Sequence, residues 1–355
     1  MIVYLLPRAP FAKAAPRSDT LFGAICWAIR WLYDEATLVE LLAGFADERV
    51  PFSLSSLFPY LENTTTNPAP KILFVPRPLL APDFGGLVKG QTAYQLYKLF
   101  RRASLLSRSV FEQIANGTLT EAQILTDLLK MAQSNFCLHA GAIMTKAEFV
   151  TAQALPSFAV ESEIARNAIN RLTMATDSNL FYQPITTGRI NTKSNVRTGF
   201  YFVVRTQDAS TKEMLAAALR FLADKGFGGN FSVGQGHCDI EIADTDDIVG
   251  NQQGQRLMTL SLLHPNQQDL AHFETIQTQM YARLERRKGF LESAYSNEVV
   301  QVWKPTLIML GEGSTFPHDG ERKVYGSLFT DKAARVALDY EPRINGIALT
   351  VGLAA

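Results

Sequence analysis

Five glycines (Gly226, Gly228, Gly229, Gly234 and Gly236) fall within eleven residues, and His237 follows the last of them directly. Glycine is favoured where a backbone needs a positive φ or must approach a ligand closely. A loop this rich in glycine presents several N–H groups that can converge on phosphate oxygens. The plainer reading is a flexible surface loop. His237 is the one candidate for general acid–base chemistry, which would make the chain a metal-independent endoribonuclease that His237→Ala silences. A lone histidine at a loop–strand junction also serves as an ordinary hydrogen-bonding residue.

Other chemistries lack their residues. The five histidines (His139, His237, His264, His272 and His318) include no pair three or four apart, so no helical metal site is expected, and no cofactor. A Walker A pattern is absent. The glycine run precedes a strand instead of opening a helix, so it is not a dinucleotide fingerprint. No nucleophile elbow of the Gly-x-Ser-x-Gly type occurs. Asn230 and Phe231 stand where a metal-binding palm would carry acids.

Two stretches are locally basic. From Ala165 to Gln207, Arg166, Arg171, Arg189, Lys193, Arg197 and Arg205 face a single acid, Asp177. From Phe84 to Phe111 there is no acid, while Lys89, Lys98, Arg101, Arg102 and Arg108 alternate with Tyr94, Tyr97, Leu99 and Phe100. That second pattern suggests a basic amphipathic helix or, more plainly, a solvated helix face.

The elements that position these groups follow from periodicity. Ile2–Leu6 reads as a strand, and Ser18-Asp19-Thr20 as the start of a helix whose apolar residues surround it, so it is expected in the core. Ile72–Val75, Gly199–Thr206 and Cys238–Ile242 read as strands. Thr211–Asp224 reads as a helix, Cys137–Val150 as a strand, and Ile185–Arg197 as a projecting hairpin. This order is β-α-β-β-α-β with a long insertion, a ferredoxin-like unit. After a linker near 250, strands at 256–263, 299–310 and 347–353 with a helix at 272–287 predict a smaller α+β domain. The expected division is therefore 1–250, with an insertion at about 80–198 and a glycine loop at 226–236, followed by 251–355.

Composition sets outer limits. With 355 residues, 47% hydrophobic and 19% charged, the chain is expected to fold as two globular domains. Its formal net charge is zero, so any nucleic-acid site must be local or completed by partners. The three cysteines are scattered and suit a reducing cytoplasm as small buried residues. No apolar run approaches a membrane span, which leads to the expectation of a soluble, cytoplasmic protein without a membrane partner.

Four stretches together resemble a known group. They are Ser18-Asp19-Thr20-Leu21-Phe22-Gly23-Ala24, Arg166 to Thr173, Gly228 to Gly236, and Trp303 to Phe316. In this order and spacing the chain resembles the RAMP superfamily, and within it the Csm subunit four family of type III-A CRISPR effector complexes. The resemblance covers residues 1 to about 350. It implies two ferredoxin-like (RRM-like) domains with a hairpin thumb at about 180–198, and a non-catalytic role in antiviral defence. Implied partners are the 5′ handle of crRNA, the large polymerase/cyclase subunit and the backbone RAMP subunits, with target RNA met indirectly. The implied RNA-binding residues are Ser18, Asp19, Arg166, Asn167, Arg171, Arg189, Lys193, Arg197, Gly228, Gly229, Ser232, Gly234, Gly236 and His237. Two departures stand out: Asn230-Phe231 and Gln235 replace a basic residue and an aromatic, and Asn170 replaces an aspartate. The loop is therefore uncharged, so its grip on RNA would come from backbone N–H groups.

Overall fold

The fold was described from a computed structural model, which describes all residues except 47–49, 82–83, 85–87, 171, 177–179, 246–253, 290–302, 321, 332–340 and 355. The chain is α+β around one large mixed sheet. Four strands lie side by side in the order Cys238–Ala243, Ile2–Pro7, Val196–Arg205 and Phe58–Asn63, each antiparallel to its neighbour. The sheet continues through Lys71–Pro76, Leu105–Ser107, Ala142–Thr145 and Phe136–His139, where Leu105–Ser107 and Ala142–Thr145 run parallel.

Val196–Arg205 is apolar without a break because both of its faces are covered. Side chains alternate across a strand. Phe200, Phe202 and Val204 pack with helices Ser18–Leu32 and Ala209–Lys225, while Tyr201 and Val203 pack with the helices of the insertion. The sheet thus separates two cores. Met258, Leu260, Leu349, Val351 and Leu353 from the C-terminal part enter the second core, so the two parts of the chain share buried surface.

The described C-terminal residues form three short sheets instead of one. Arg256–Thr259 lies between Thr315–Pro317 and Thr350–Leu353, and two strand pairs accompany it: Leu284–Arg287 with Leu307–Leu310, and Leu328–Thr330 with Arg343–Asn345. The bridges Leu263↔Leu310 and Tyr281↔Thr315 tie these pieces together. The expected boundary at 250/251 lies outside the described residues. Among the described residues no helix is long and apolar enough to cross a membrane.

Three local expectations need correction. The helix expected at 272–287 is Gln267–Ile276, with Asn266 capping it, and the chain then turns into strand Leu284–Arg287. Cys137–Val150 is a hairpin, Phe136–His139 with Ala142–Thr145, followed by helix Lys146–Ala152. Thr145 and Glu148 form a reciprocal capping box there, which fixes the helix start within what reads as a strand. The exposed ribbon is also one strand earlier than expected: Val160–Asn167 pairs with Leu180–Thr187, from Val160↔Thr187 to Asn167↔Leu180. The 190–197 segment instead folds back on the main sheet through Ile190↔Arg197.

Candidate nucleic-acid interface

The glycine loop follows helix Ala209–Lys225, and its glycines divide into two roles. At the base, Gly226 (φ +84°) and Gly236 (φ +76°) are buried, and a Cβ on either would strike backbone: Gln235 O at 2.5 Å and Phe227 O at 2.1 Å. Only glycine fits there. The Gly236 amide donates to Pro10 O, and the carbonyl of His237 accepts from the Arg8 and Ala9 amides, which anchors the loop to the end of the first strand. At the tip, Gly229, Asn230, Ser232, Val233 and Gly234 are exposed. The amides of Gly228 to Ser232 have no hydrogen-bond partner among the described residues.

Aromatic and cationic side chains fix this tip in space. The Lys225 ammonium lies 3.2 Å from the ring centre of Trp31 and 4.6 Å from that of Phe231, bridging the first helix and the loop by cation–π contact. Trp27 and Trp31 lie 5.7 Å apart on the helix face turned away from the sheet. The first helix is therefore core on one side only. Leu21, Phe22, Ile25, Ala28 and Ile29 are buried, while the tryptophans line a groove.

The groove measures about 1210 Å³. Its walls include the first helix, helix Glu35–Ala43, the loop from Gly226 to Ser232, and residues 287–289, 304–305, 307 and 341–344 of the C-terminal part. Arg30, Arg287, Lys288, Lys304 and Arg343 supply cations, and Asp19, Glu35 and Glu341 supply acids. Arg287 grips Asp19 with both Nε and Nη2, at 3.0 and 2.8 Å, and Arg30 pairs with Glu35 at 2.7 Å. Lys288, Lys304 and Arg343 are not ion-paired to any described carboxylate. Burial pushes the Lys304 ammonium below the usual lysine range; Asp19 opposes that shift and Arg287 adds to it. An anion entering here meets positive charge, open amides and flat rings together, the combination a nucleotide chain needs.

The expected site residues fall into three groups. Gly228, Gly229 and Ser232 stand on the groove wall, and Gly234 is at the exposed end of the same loop. Asp19 also lines the groove, but 6% exposed and held by Arg287, so it orients that arginine. Ser18 is fully buried: its amide donates to Ser56 Oγ and its hydroxyl accepts from the Leu262 amide. Gly236 and His237 form the loop base, and no described side chain hydrogen-bonds the His237 ring.

The remaining expected residues lie on the ribbon or behind it. Arg166 faces Phe181 across the ribbon, on the same side as Gln183, which donates to Gln235 Oε1 in the glycine loop at 3.1 Å. Arg166 Nε and Gln235 Nε2 are buried donors without a partner among the described residues, a rare state for such groups. Asn167 is exposed at the end of its strand, and Arg171 lies outside the described residues. Arg189 donates to Ser157 Oγ, Lys193 is exposed in a turn, and Arg197 is bound to Glu62 at 2.7 Å. Arg197 therefore serves the sheet. Among the described residues no group of three His, Cys, Asp or Glu is placed to hold a metal ion.

Comparison with known proteins bears on this arrangement. Residues 252–334 match the model of the CRISPR Csm4 C-terminal domain. The chain is 26% identical over 323 residues to the CRISPR system Cms protein Csm4 of Thermococcus onnurineus (strain NA1), covering 89% of this chain and 86% of that one. A chain of the Csm3–Csm4 subcomplex of a type III-A CRISPR-Cas interference complex superposes on all of it, with a TM-score of 0.65, 16% identity and 99% of that chain covered. Residues 252–334 thus match the Csm4 C-terminal domain, and the chain as a whole is similar to Csm4 proteins. A chain of a Csm1–Csm4 cassette in complex with pppApA is also similar, at TM-score 0.54 and 19% identity, covering 99% of this chain and 96% of that one. At such identities the structural likeness is one of fold.

Within this Csm4-like chain, sequence reading missed Trp27, Trp31, Lys225, Arg287, Lys288, Lys304 and Arg343. The run Arg286-Arg287-Lys288 was a visible signal, but it was absorbed into an expected helix. Arg287 and Asp19 are 268 residues apart, a pairing no local pattern encodes.

Proposed function

We propose that the chain is a non-catalytic subunit of a type III CRISPR effector complex that holds the 5′ handle of crRNA in this groove. One observation carries the reading: five loop amides without a hydrogen-bond partner among the described residues, two tryptophans and three cations not ion-paired to any described carboxylate border a single groove. Phosphate contacts position a nucleic acid, and contacts to bases specify it. Arg287, Lys288, Lys304, Arg343 and the loop amides take the first task, and Trp27, Trp31, Ser232 and Asn230 the second. Arg166 and Asn167 on the ribbon extend the path beyond the loop, which suits a thumb separating handle from guide. The strand order described above is read as a ferredoxin-like unit interrupted by the insertion, and residues 251–355 as a second, broken one.

The bridging role rests on kinship. The Csm3–Csm4 subcomplex and the Csm1–Csm4 cassette make contacts to a backbone subunit and to the large polymerase/cyclase subunit the natural proposal for this chain. The test is binding of the purified protein, alone and with its co-expressed large partner, to labelled handle RNA and a scrambled control, with RNA integrity followed in the same tubes. Handle-selective binding with intact RNA is expected. Cleavage at a fixed position would replace this reading with the nuclease. Equal, strongly salt-dependent binding of both RNAs would leave only a basic surface.

A further inference from the structure

Helix Gln91–Arg102 lies across the sheet from the groove. Phe100, with Leu96 and Tyr97 beside it, packs into the core that also holds Tyr201 and Val203, whereas the groove helix packs into the opposite one. The outer face is exposed and positive: Lys98, Arg101 and Arg102 are all solvent-facing. None of the three is ion-paired to a described carboxylate, and no acid occurs between Phe84 and Phe111.

These cations are not there to complete the helix. Basic residues in a last turn commonly satisfy the terminal carbonyls. Here Arg77 does so from outside, its Nη1 donating to Phe100 O at 2.6 Å and Ala103 O at 3.3 Å while its Nε bonds Glu121. Arg101 and Arg102 are exposed and bond no terminal carbonyl among the described residues. Lys98 sits 4.6 Å over the Tyr94 ring and Arg101 donates to the Tyr97 hydroxyl at 3.2 Å, which restrains both long side chains before any ligand arrives. Lys98 and Arg102 are one turn apart, about 6 Å along the axis, close to the separation of neighbouring phosphates on a strand. Tyr94 remains 51% exposed beside them, a surface on which an unpaired base can stack.

We infer that this face is a second nucleic-acid site, which holds the backbone of single-stranded RNA without regard to sequence. It is independent of the handle groove and does not rest on the handle reading. The test uses an oligouridylate with the full chain, with and without handle RNA already bound, and the variant Lys98→Gln/Arg101→Gln/Arg102→Gln. Loss of three phosphate contacts should reduce the salt slope of oligouridylate binding by about 2, and leave handle affinity and melting temperature unchanged. The charge-retaining variant Lys98→Arg/Arg101→Lys/Arg102→Lys should bind as the parent does. Unchanged oligouridylate affinity and slope in the glutamine variant would overturn the inference. So would loss of another subunit from the complex with RNA binding intact, which would make this a face for an acidic protein surface.

Discussion

Handle RNA is expected to bind about a hundredfold more weakly once Asp19→Asn, Arg287→Gln and Lys304→Gln are combined. Two charge-assisted hydrogen bonds to phosphate are worth about 3 kcal/mol together, and each 1.4 kcal/mol is a factor of about ten. Asp19 is changed along with Arg287 for a reason. Arg287→Ala alone leaves a carboxylate only 6% exposed without its partner, which costs on the order of 3 kcal/mol of stability and confuses folding with binding. The combined variant keeps the groove and removes two of its five cations together with the acid that Arg287 grips. Titration of labelled handle RNA, beside a melting curve for each variant, separates the two effects; unchanged affinity in the folded variant would remove these residues from the site. Lys304 adds a pH signature. Burial lowers its pKa in the free protein, while a bound phosphate favours the charged form. Binding therefore takes up protons, and affinity should fall as pH rises through the lowered lysine value. Lys304→Gln should flatten that dependence.

Gly236→Ala should damage the loop far more than Gly234→Ala, although both glycines have positive φ. A left-handed backbone costs a residue with a Cβ about 1 kcal/mol. At Gly234 (φ +87°) that is the whole cost, since nothing lies within 4 Å of the added carbon. At Gly236 the added carbon falls 2.1 Å from Phe227 O and 2.9 Å from Phe227 N, so the two sides of the loop base must separate. We expect a loss of about 3 kcal/mol and, with the base opened, of the amide array at Gly228 to Ser232. Denaturant melts of the two variants decide it. Equal stabilities would mean that the base tolerates a side chain and that the loop is merely flexible.

Legibility in the sequence followed the range of each interaction. The strands Ile2–Pro7, Val196–Arg205 and Cys238–Ala243 and the helices Ser18–Leu32 and Ala209–Lys225 were readable because their patterns are local. The glycine loop was readable because steric demand leaves one residue type. The groove was not, since Trp31, Lys225, Arg287, Lys304 and Arg343 meet only after folding. Polarity also misled: Ser18 and Arg197 invite a surface role, yet one joins the two parts of the chain and the other balances Glu62 in the sheet. The second strand of the ribbon begins inside the expected 180–198 thumb, but its partner Val160–Asn167 was not read as a strand, and Leu180, Phe181 and Tyr182 are all more than half exposed.

The most direct test of the central claim is photo-cross-linking of a handle RNA carrying photoreactive bases to the intact protein, with the joined peptides identified by mass spectrometry. Cross-links to peptides containing Trp27, Trp31 and residues 228–232 are predicted, with Arg287 and Lys304 peptides next. Cross-links confined to helix Gln91–Arg102, or absent from the groove while the RNA remains bound, would contradict the account.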